Sequence, residues 1–376
     1  MIAYLDNSAT TRPGEGVIEA MDECMRGGYF NPSSLYAEAL KADKSLDRCR
    51  EAIKNAIHVS SGSVIFTSGG TEANNLAIIG STGAMYGKKR ILLSAVEHPS
   101  VLAAGEYLKG QGCEVIVYPV DRAGQPVWDV LEGFLDGDVG LVSCMQVNNE
   151  VGSIADIARL CALVRKSSPE ALIHVDGVQG FLREDFDANM VDMYTLSGHK
   201  LNGPKGIGAL WTRAGVRLKP IIHGGGQENN LRSGTENTPG IAGLCAAIAD
   251  MKSDGIRAMK DRLIEKLLKA VPEMVINGPD PASAARHILN VSFPGVRGEV
   301  MLHALEGLGV YVSTGSACSS KKRKISPVLL ALGLDPNMAQ CAVRFSLCQY
   351  TTAGEIDYAA DCVASQYELL KRFHRR

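Results

Sequence analysis

Lys200 closes the stretch Ser-Gly-His-Lys (Ser197 to Lys200), which an apolar, strand-like run precedes and Leu-Asn-Gly-Pro-Lys-Gly-Ile-Gly follows. A lysine in a polar loop at a strand end suits Schiff-base chemistry when its surroundings lower its pKa. Ser197 and His199 offer hydrogen-bond donors for a phosphate beside it, whereas Lys205 reads equally as a solvated surface charge. A second stretch, His-Val-Asp-Gly-Val-Gln (His174 to Gln179), puts Asp176 where a strand ends, on the rim where open α/β sheets bind ligands. Its carboxylate suits a positively charged ring nitrogen, with Gln179 one turn further on, while a helix N-cap is the plainer reading of an Asp there taken alone. A third, Ser-Gly-Gly-Thr-Glu (Ser68 to Glu72), lies between a strand and a helix. Such a turn aims unpaired N–H groups along the positive end of the helix dipole, a natural phosphate seat. A helix cap by Ser68 or Thr71 is the alternative, and the stretch is neither a P-loop nor a dinucleotide fingerprint. Cys318 sits in a Ser-, Gly- and Thr-rich stretch just ahead of Lys321, Lys322, Arg323 and Lys324. Nearby cations raise a thiol's thiolate fraction; an incidental surface cysteine is the alternative.

Strand and helix patterns alternate around these residues. Strand-like runs occur at Val64–Thr67, Arg90–Ser94, Glu114–Pro119, Gly140–Met145, Ala171–Val175, Met193–Leu196 and Ile207–Trp211. Helical spacing separates the earlier ones, at Glu72–Ile79, Ser100–Lys109 and Ile154–Lys166. That alternation implies an α/β fold with a mostly parallel central sheet and helices on both faces. After Gly224–Gly226 the pattern changes to a helical stretch from Ile241 to Ala270 with a break near Gly255, then a strand (His287–Ser292), a helix (Glu299–Leu308), a basic loop (Ser313–Lys324), a strand (Ala342–Ser346) and a closing helix (Thr352–Arg372). The expected division is a large domain over 12–255 and a smaller α+β domain formed by 1–11 with 256–376.

Composition narrows the function classes. The chain has 376 residues, 45% hydrophobic and 21% charged, enough to bury a sizeable core. Its 39 basic and 41 acidic side chains nearly balance, which argues against a general nucleic-acid coat protein. The ten cysteines include no Cys-x-x-Cys pair, so neither a zinc ribbon nor a redox dithiol is signalled, and no metal site is expected. Without a basic, apolar leader pattern or an apolar run of about 18 residues, the expectation is a cytoplasmic protein that uses no membrane.

The chain resembles the cysteine desulfurases, pyridoxal-phosphate enzymes related to the class V aminotransferases. The resemblance rests on Tyr4–Thr11, Phe66–Asn75, Glu97–Val101, Val147–Gly152, the Asp176 and Lys200 stretches, Gly224–Asn237, Ser313–Ser320 and Val343–Leu347, which together span nearly the whole chain. It implies a fold-type I homodimer holding pyridoxal 5'-phosphate as a Schiff base on Lys200. It further implies that Asp176 pairs with the pyridine nitrogen, Gln179 bonds the ring oxygen and His98 lies over the ring. Gly70, Thr71, Ser197 and His199 would seat the phosphate, with Thr235 completing that seat from the second subunit. Asn149 and Arg344 would hold the substrate carboxylate. A stacked core imidazole and an ordinary ion pair are the plain readings of His98 and Arg344.

Cys318 sets this branch apart from aminotransferases, which need an amino acceptor and no such cysteine. The resemblance therefore implies conversion of L-cysteine to L-alanine with the sulfur retained as a persulfide on Cys318. A sulfur-acceptor protein, an iron–sulfur scaffold or a tRNA-thiolation enzyme, would then receive it. Where the housekeeping iron–sulfur branch has Leu-Glu-Pro-Ser after the active cysteine, this chain carries Lys-Lys-Arg-Lys-Ile-Ser-Pro, which leaves the acceptor open. The rival readings are a selenocysteine lyase, a class V aminotransferase and a cofactor-binding scaffold without activity.

Overall fold

The computed structural model describes residues 1–314 and 325–373. Strand β1 (Ala3–Tyr4) leads into helices α1 (Glu15–Gly27) and α2 (Ala37–Ala56). There follow β2 (Ser63–Thr67), α3 (Gly70–Gly80), β3 (Arg90–Ser94), α4 (Pro99–Gly110), β4 (Glu114–Tyr118), α5 (Trp128–Phe134), β5 (Val139–Met145), α6 (Ile157–Ser167), β6 (Leu172–Asp176), β7 (Met193–Ser197) and β8 (Gly208–Thr212). The remainder comprises α7 (Thr238–Asp250), α8 (Ile256–Ala270), β9 (Val275–Ile276), β10 (Ile288–Ser292), α9 (Gly298–Glu306), β11 (Val310–Tyr311), α10 (Pro327–Ala331), α11 (Pro336–Gln340), β12 (Ala342–Ser346) and α12 (Ala353–Phe373).

Seven strands form the central sheet in the order β2-β8-β7-β6-β5-β3-β4. Only β8 runs against its neighbours, so the sheet is mostly parallel, as the alternating pattern implies. Every residue of β5, β6, β7 and β8 is buried, which their unbroken apolar character requires of strands covered on both faces. Successive residues serve opposite layers. Val64 and Phe66 join the core beneath α1, α2, α6 and α7, while Ile65 joins the one beneath α3 and α4. A separate apolar core unites β1, β10, β11 and β12 with α8, α9 and α12. There β10 lies between β9 and β12, antiparallel to both, and β1 pairs in parallel with β11.

The elements depart from the sequence pattern in a few places. Helix α6 starts at Ile157 rather than at Ile154, because Asp156 takes the N-cap and its Oδ1 accepts from Arg159 N at 3.0 Å. The helical stretch of 241–270 is two helices, α7 and α8, parted at 251–255. Helices α1 and α2 were not assigned from the pattern; Leu46, Cys49 and Ile53 of α2 carry the buried face. Among the described residues no helix is long and apolar enough to cross a membrane.

Beneath the rim of the sheet runs a buried polar chain. Thr195 Oγ1 lies 3.0 Å from His174 Nε2, His174 Nδ1 lies 2.9 Å from Ser143 Oγ, and Ser143 donates to Glu97 Oε1 at 2.9 Å. One proton arrangement satisfies all three: Thr195 donates to Nε2, and Nδ1–H donates to Ser143. Burial holds Glu97 well above the usual carboxylate range, with the Asp176 charge adding to it. Burial also lowers His174 to about 4. Gly177, which turns the chain after β6, faces the Tyr194 ring, and a Cβ there would fall 1.9 Å from Tyr194 Cζ.

Tyr194 has no room to retreat, since it stacks on Phe186 and donates to Gln146 at 2.7 Å. Gly177→Ala should therefore cost about 1–3 kcal/mol of stability, measured by urea unfolding. His174 yields a second expectation. Between its unfolded value near 6.5 and its folded value of about 4, only the unfolded chain binds the proton. The stability advantage of the parent over His174→Asn should be full above pH 6.5 and shrink by about 3 kcal/mol as pH falls to 4. An advantage that stays constant over that range would contradict a neutral buried His174.

Candidate active site

The rim at the carboxyl ends of β2, β5, β6 and β7 opens into a cleft of about 780 Å³. Residues 8–10 line it from one side, and Ser313 and Arg344 line it from the β12 side. Gly70, Thr71, His98, Asn149, Asp176, Gln179, Ser197, His199, Lys200 and Arg344 all reach this one cavity. Thr235 does not line it; it is exposed in the loop before α7. Cys318 and the basic residues Lys321, Lys322, Arg323 and Lys324 lie outside the described residues.

Asp176 ends β6 and is 3% exposed. Its Oδ1 accepts from Val178 N at 3.0 Å, and its Oδ2 accepts from Asn74 Nδ2 at 2.7 Å. No helix follows Asp176, so the helix-cap alternative is corrected: the Val178 contact closes a turn after β6. Asn74, on the inward face of α3, also donates to Ser100 Oγ at 2.9 Å. His98 caps α4: its Nδ1 accepts from Ser100 N at 3.1 Å and sits 2.7 Å from Ser100 Oγ. An Nδ1 that accepts from a backbone N–H leaves the ring proton on Nε2. Burial lowers the pKa of His98, the Asp176 charge opposes that, and Lys200 adds to the lowering, so the ring is neutral near pH 7.

The turn between β2 and α3 is not capped by a side chain, which corrects the alternative that Ser68 or Thr71 satisfies the first turn. Gly69 occupies the N-cap at φ +155°, open to glycine alone, and a Cβ on Gly70 would lie 2.7 Å from Val178 Cγ2. Glu72 braces the turn instead, accepting from Ser68 N at 2.9 Å and from Arg232 Nε at 2.9 Å. Opposite, Ser197 Oγ is buried without a hydrogen-bond partner among the described residues. His199 Nδ1 lies 3.1 Å from Thr10 Oγ1. Burial, with Lys200, Lys205 and Arg183 nearby, lowers His199 to about 4. Lys205, read as a surface charge, is exposed but also lines the cleft.

Lys200 Nζ donates to Ser8 O at 2.5 Å and to Ala9 O at 2.8 Å. Gln179 Nε2 donates to the same Ser8 O at 3.0 Å. Across the cleft, Arg344 Nη1 donates to Asn149 O at 2.8 Å and Nη2 pairs with Asp6 Oδ1 at 2.7 Å. The plain ion-pair reading of Arg344 is therefore part of the truth, since the same side chain faces the cavity and its Nε is buried without a partner among the described residues. Asp6, Asn74, Ser100 and Arg183 were not singled out from sequence. Asn74 was within reach of sequence reasoning, because it lies one helical turn past Gly70.

These donors fit pyridoxal phosphate. The glycine cradle and the unpartnered Ser197 hydroxyl suit a phosphate, Asp176 suits a ring cation, and the Arg344 fork suits a carboxylate. A family model described as "Aminotransferase class-V" matches residues 3–359. The "Cysteine desulfurase IscS" of Dictyoglomus turgidum is 39% identical over 377 aligned positions, covering 98% of this chain and 95% of the relative. A solved structure named "NIFS-LIKE PROTEIN" superposes with a TM-score of 0.91 at 35% identity, covering 98% of this chain and 100% of its own. SspA, solved in complex with cysteine, gives 0.82 at 31% identity, covering 93% of this chain and 100% of its own. With the fold, the cleft and these relatives in agreement, the chain belongs to the class-V aminotransferases, among the pyridoxal-phosphate-dependent cysteine desulfurases.

Proposed function

We propose that the protein converts L-cysteine to L-alanine and retains the sulfur as a persulfide on Cys318. The observation that carries this reading is the arrangement of Lys200, His98 and Asp176 in one cleft with Arg344, whose buried Nε has no partner among the described residues. Pyridoxal phosphate, held through Lys200 Nζ, supplies the electron sink for the bond changes at the substrate Cα. Asp176, fixed by Val178 and Asn74, keeps a proton on the ring nitrogen. Gly70, Thr71, Ser197 and neutral His199 hold the phosphate, and Gln179 turns its amide N–H toward the ring oxygen. Arg344 and Asn149 fix the substrate carboxylate. Lys200 Nζ then takes the Cα proton, with His98 Nε2–H available as a proton donor near the ring. The Cys318 thiolate attacks the substrate Sγ: the S–S bond forms, the Cβ–Sγ bond breaks with its electron pair left on Cβ, Cβ takes up one proton, and Lys200 Nζ returns the proton it removed to Cα, so that alanine leaves.

The reading extends to assembly and delivery. Exposed large apolar side chains at Met25, Tyr29, Leu35, Tyr36 and Leu40 support a homodimer, in which Thr235 completes the partner's phosphate seat. The separate apolar core of β1, β10, β11, β12, α8, α9 and α12 supports the division into 12–255 and 1–11 with 256–376. Lys321 to Lys324 suit docking of an acidic acceptor, an iron–sulfur scaffold or a tRNA-thiolation enzyme, in the cytoplasm.

Incubation with cysteine, with alanine and sulfide measured with and without reductant, tests the reading. Lys200→Ala should lose the yellow absorbance of the bound cofactor, and full retention of that absorbance would refute the role of Lys200. Cys318→Ala should keep the chromophore and still bind cysteine, while alanine formation falls by roughly 100-fold or more. Alanine formation at the parent rate in Cys318→Ala would overturn the persulfide step.

A further inference from the structure

Behind the cleft lies a buried cation that the mechanism above does not use. Arg183 is 2% exposed and forms no ion pair among the described residues. The carboxylate next to it in the chain, Glu184, is engaged by Arg286 at 3.2 Å. A buried charge without a counter-charge is costly, so its hydrogen bonds carry its placement. They run to two groups of the site: Nη1 donates to Gln179 Oε1 at 3.2 Å, and Nη2 donates to Lys200 O. His287 Nε2 closes the cluster at 3.3 Å from Gln179 Oε1 and 3.4 Å from Arg183 Nη1.

A guanidinium has donors and no acceptor, so the Gln179 atom that faces it must be the oxygen. The amide nitrogen is thereby turned the other way, where it donates to Ser8 O on the cleft. A cation on the oxygen also polarises the amide and strengthens its N–H donors. The groups facing Arg183 are Gln179, His287, Glu184 and Cys348, with Lys260, Arg286 and Arg344 around His287. Burial and these cations hold His287 well below its usual range, so it is neutral, while burial lowers Arg183 only to about 10, so it stays charged.

We infer that Arg183 is a positioning residue for the cofactor's ring oxygen: it fixes which end of Gln179 faces the cleft, strengthens that donor, and pins the main chain of Lys200 with the same fork. This rests on the cleft being the seat of pyridoxal phosphate. Lysine at this position would keep the charge but lose the fork that reaches both groups.

The test is a pH titration of the visible absorbance of the holoenzyme, independent of turnover. Removing a cation and weakening a donor both favour the protonated chromophore, so Arg183→Met should raise its midpoint by about one pH unit, a tenfold change in proton affinity. Arg183→Lys, which keeps the buried charge and gives up the fork, should raise it by less. In a Gln179→Met background each shift should fall to under half its size, because the effect runs through the amide. If Arg183→Met does not fold, the Arg183→Lys pair decides alone. Unmoved midpoints, or equal shifts with and without Gln179, overturn the inference. A parent protein without the absorbance overturns the cofactor reading and this inference with it, whereas normal parent absorbance with unmoved variants overturns only the role of Arg183.

Discussion

A carboxylate taken almost wholly out of water costs several kcal/mol unless both its oxygens are bonded, and Asp176 imposes that demand on everything around it. Its first oxygen is met by Val178 N, which requires the tight turn at Gly177. Its second is met by Asn74, which requires α3 to approach β6 and β7 closely. The close approach in turn requires glycine at 70, and the backbone angle of the turn requires it at 69. Asn74 passes the constraint on through Ser100 to the ring of His98. The bonds that make one anion tolerable are the bonds that orient the rest of the site.

The cations are placed by different means. Lys200 donates to the main-chain carbonyls of 8 and 9, Arg183 to an amide and a carbonyl, and Arg344 pairs with the carboxylate of Asp6. Carbonyl dipoles solvate a charge without cancelling it, and Lys205 and Arg344 also line the cleft, which suits an anionic ligand. Ser8 Oγ, Ser197 Oγ and Arg344 Nε are buried without partners among the described residues. Each such group costs about 1–3 kcal/mol while it stays unmet. A ligand that satisfies them binds the folded chain alone and so stabilises it.

Much of this was legible in the sequence because strand-end residues announce themselves. Asp176, Ser197 and Lys200 follow buried apolar runs, and glycines mark the turn at 69–70. The central strands were legible for the same reason, their apolar character being continuous. Residues acting from a distance were not. Asp6 meets Arg344 across 338 positions, and no local pattern encodes that pairing. Arg183 looks like any charged residue after a turn until burial shows what it touches. Helices α1 and α2 escaped notice because few large apolar residues mark their inward faces.

The segment of residues 6–11 has a bearing on how the protein is made. Asn7 donates to Ser346 O, 339 positions away, and the carbonyls of 8 and 9 meet Lys200. At about 5–20 residues per second, a ribosome needs roughly 20–70 s to travel from the first of these residues to the last. The segment that closes the cleft therefore emerges early; it can meet Lys200 midway through synthesis, but its bonds to Ser346 must wait until β12 appears. The sheet can condense during that interval, but the site cannot be finished on a partial chain.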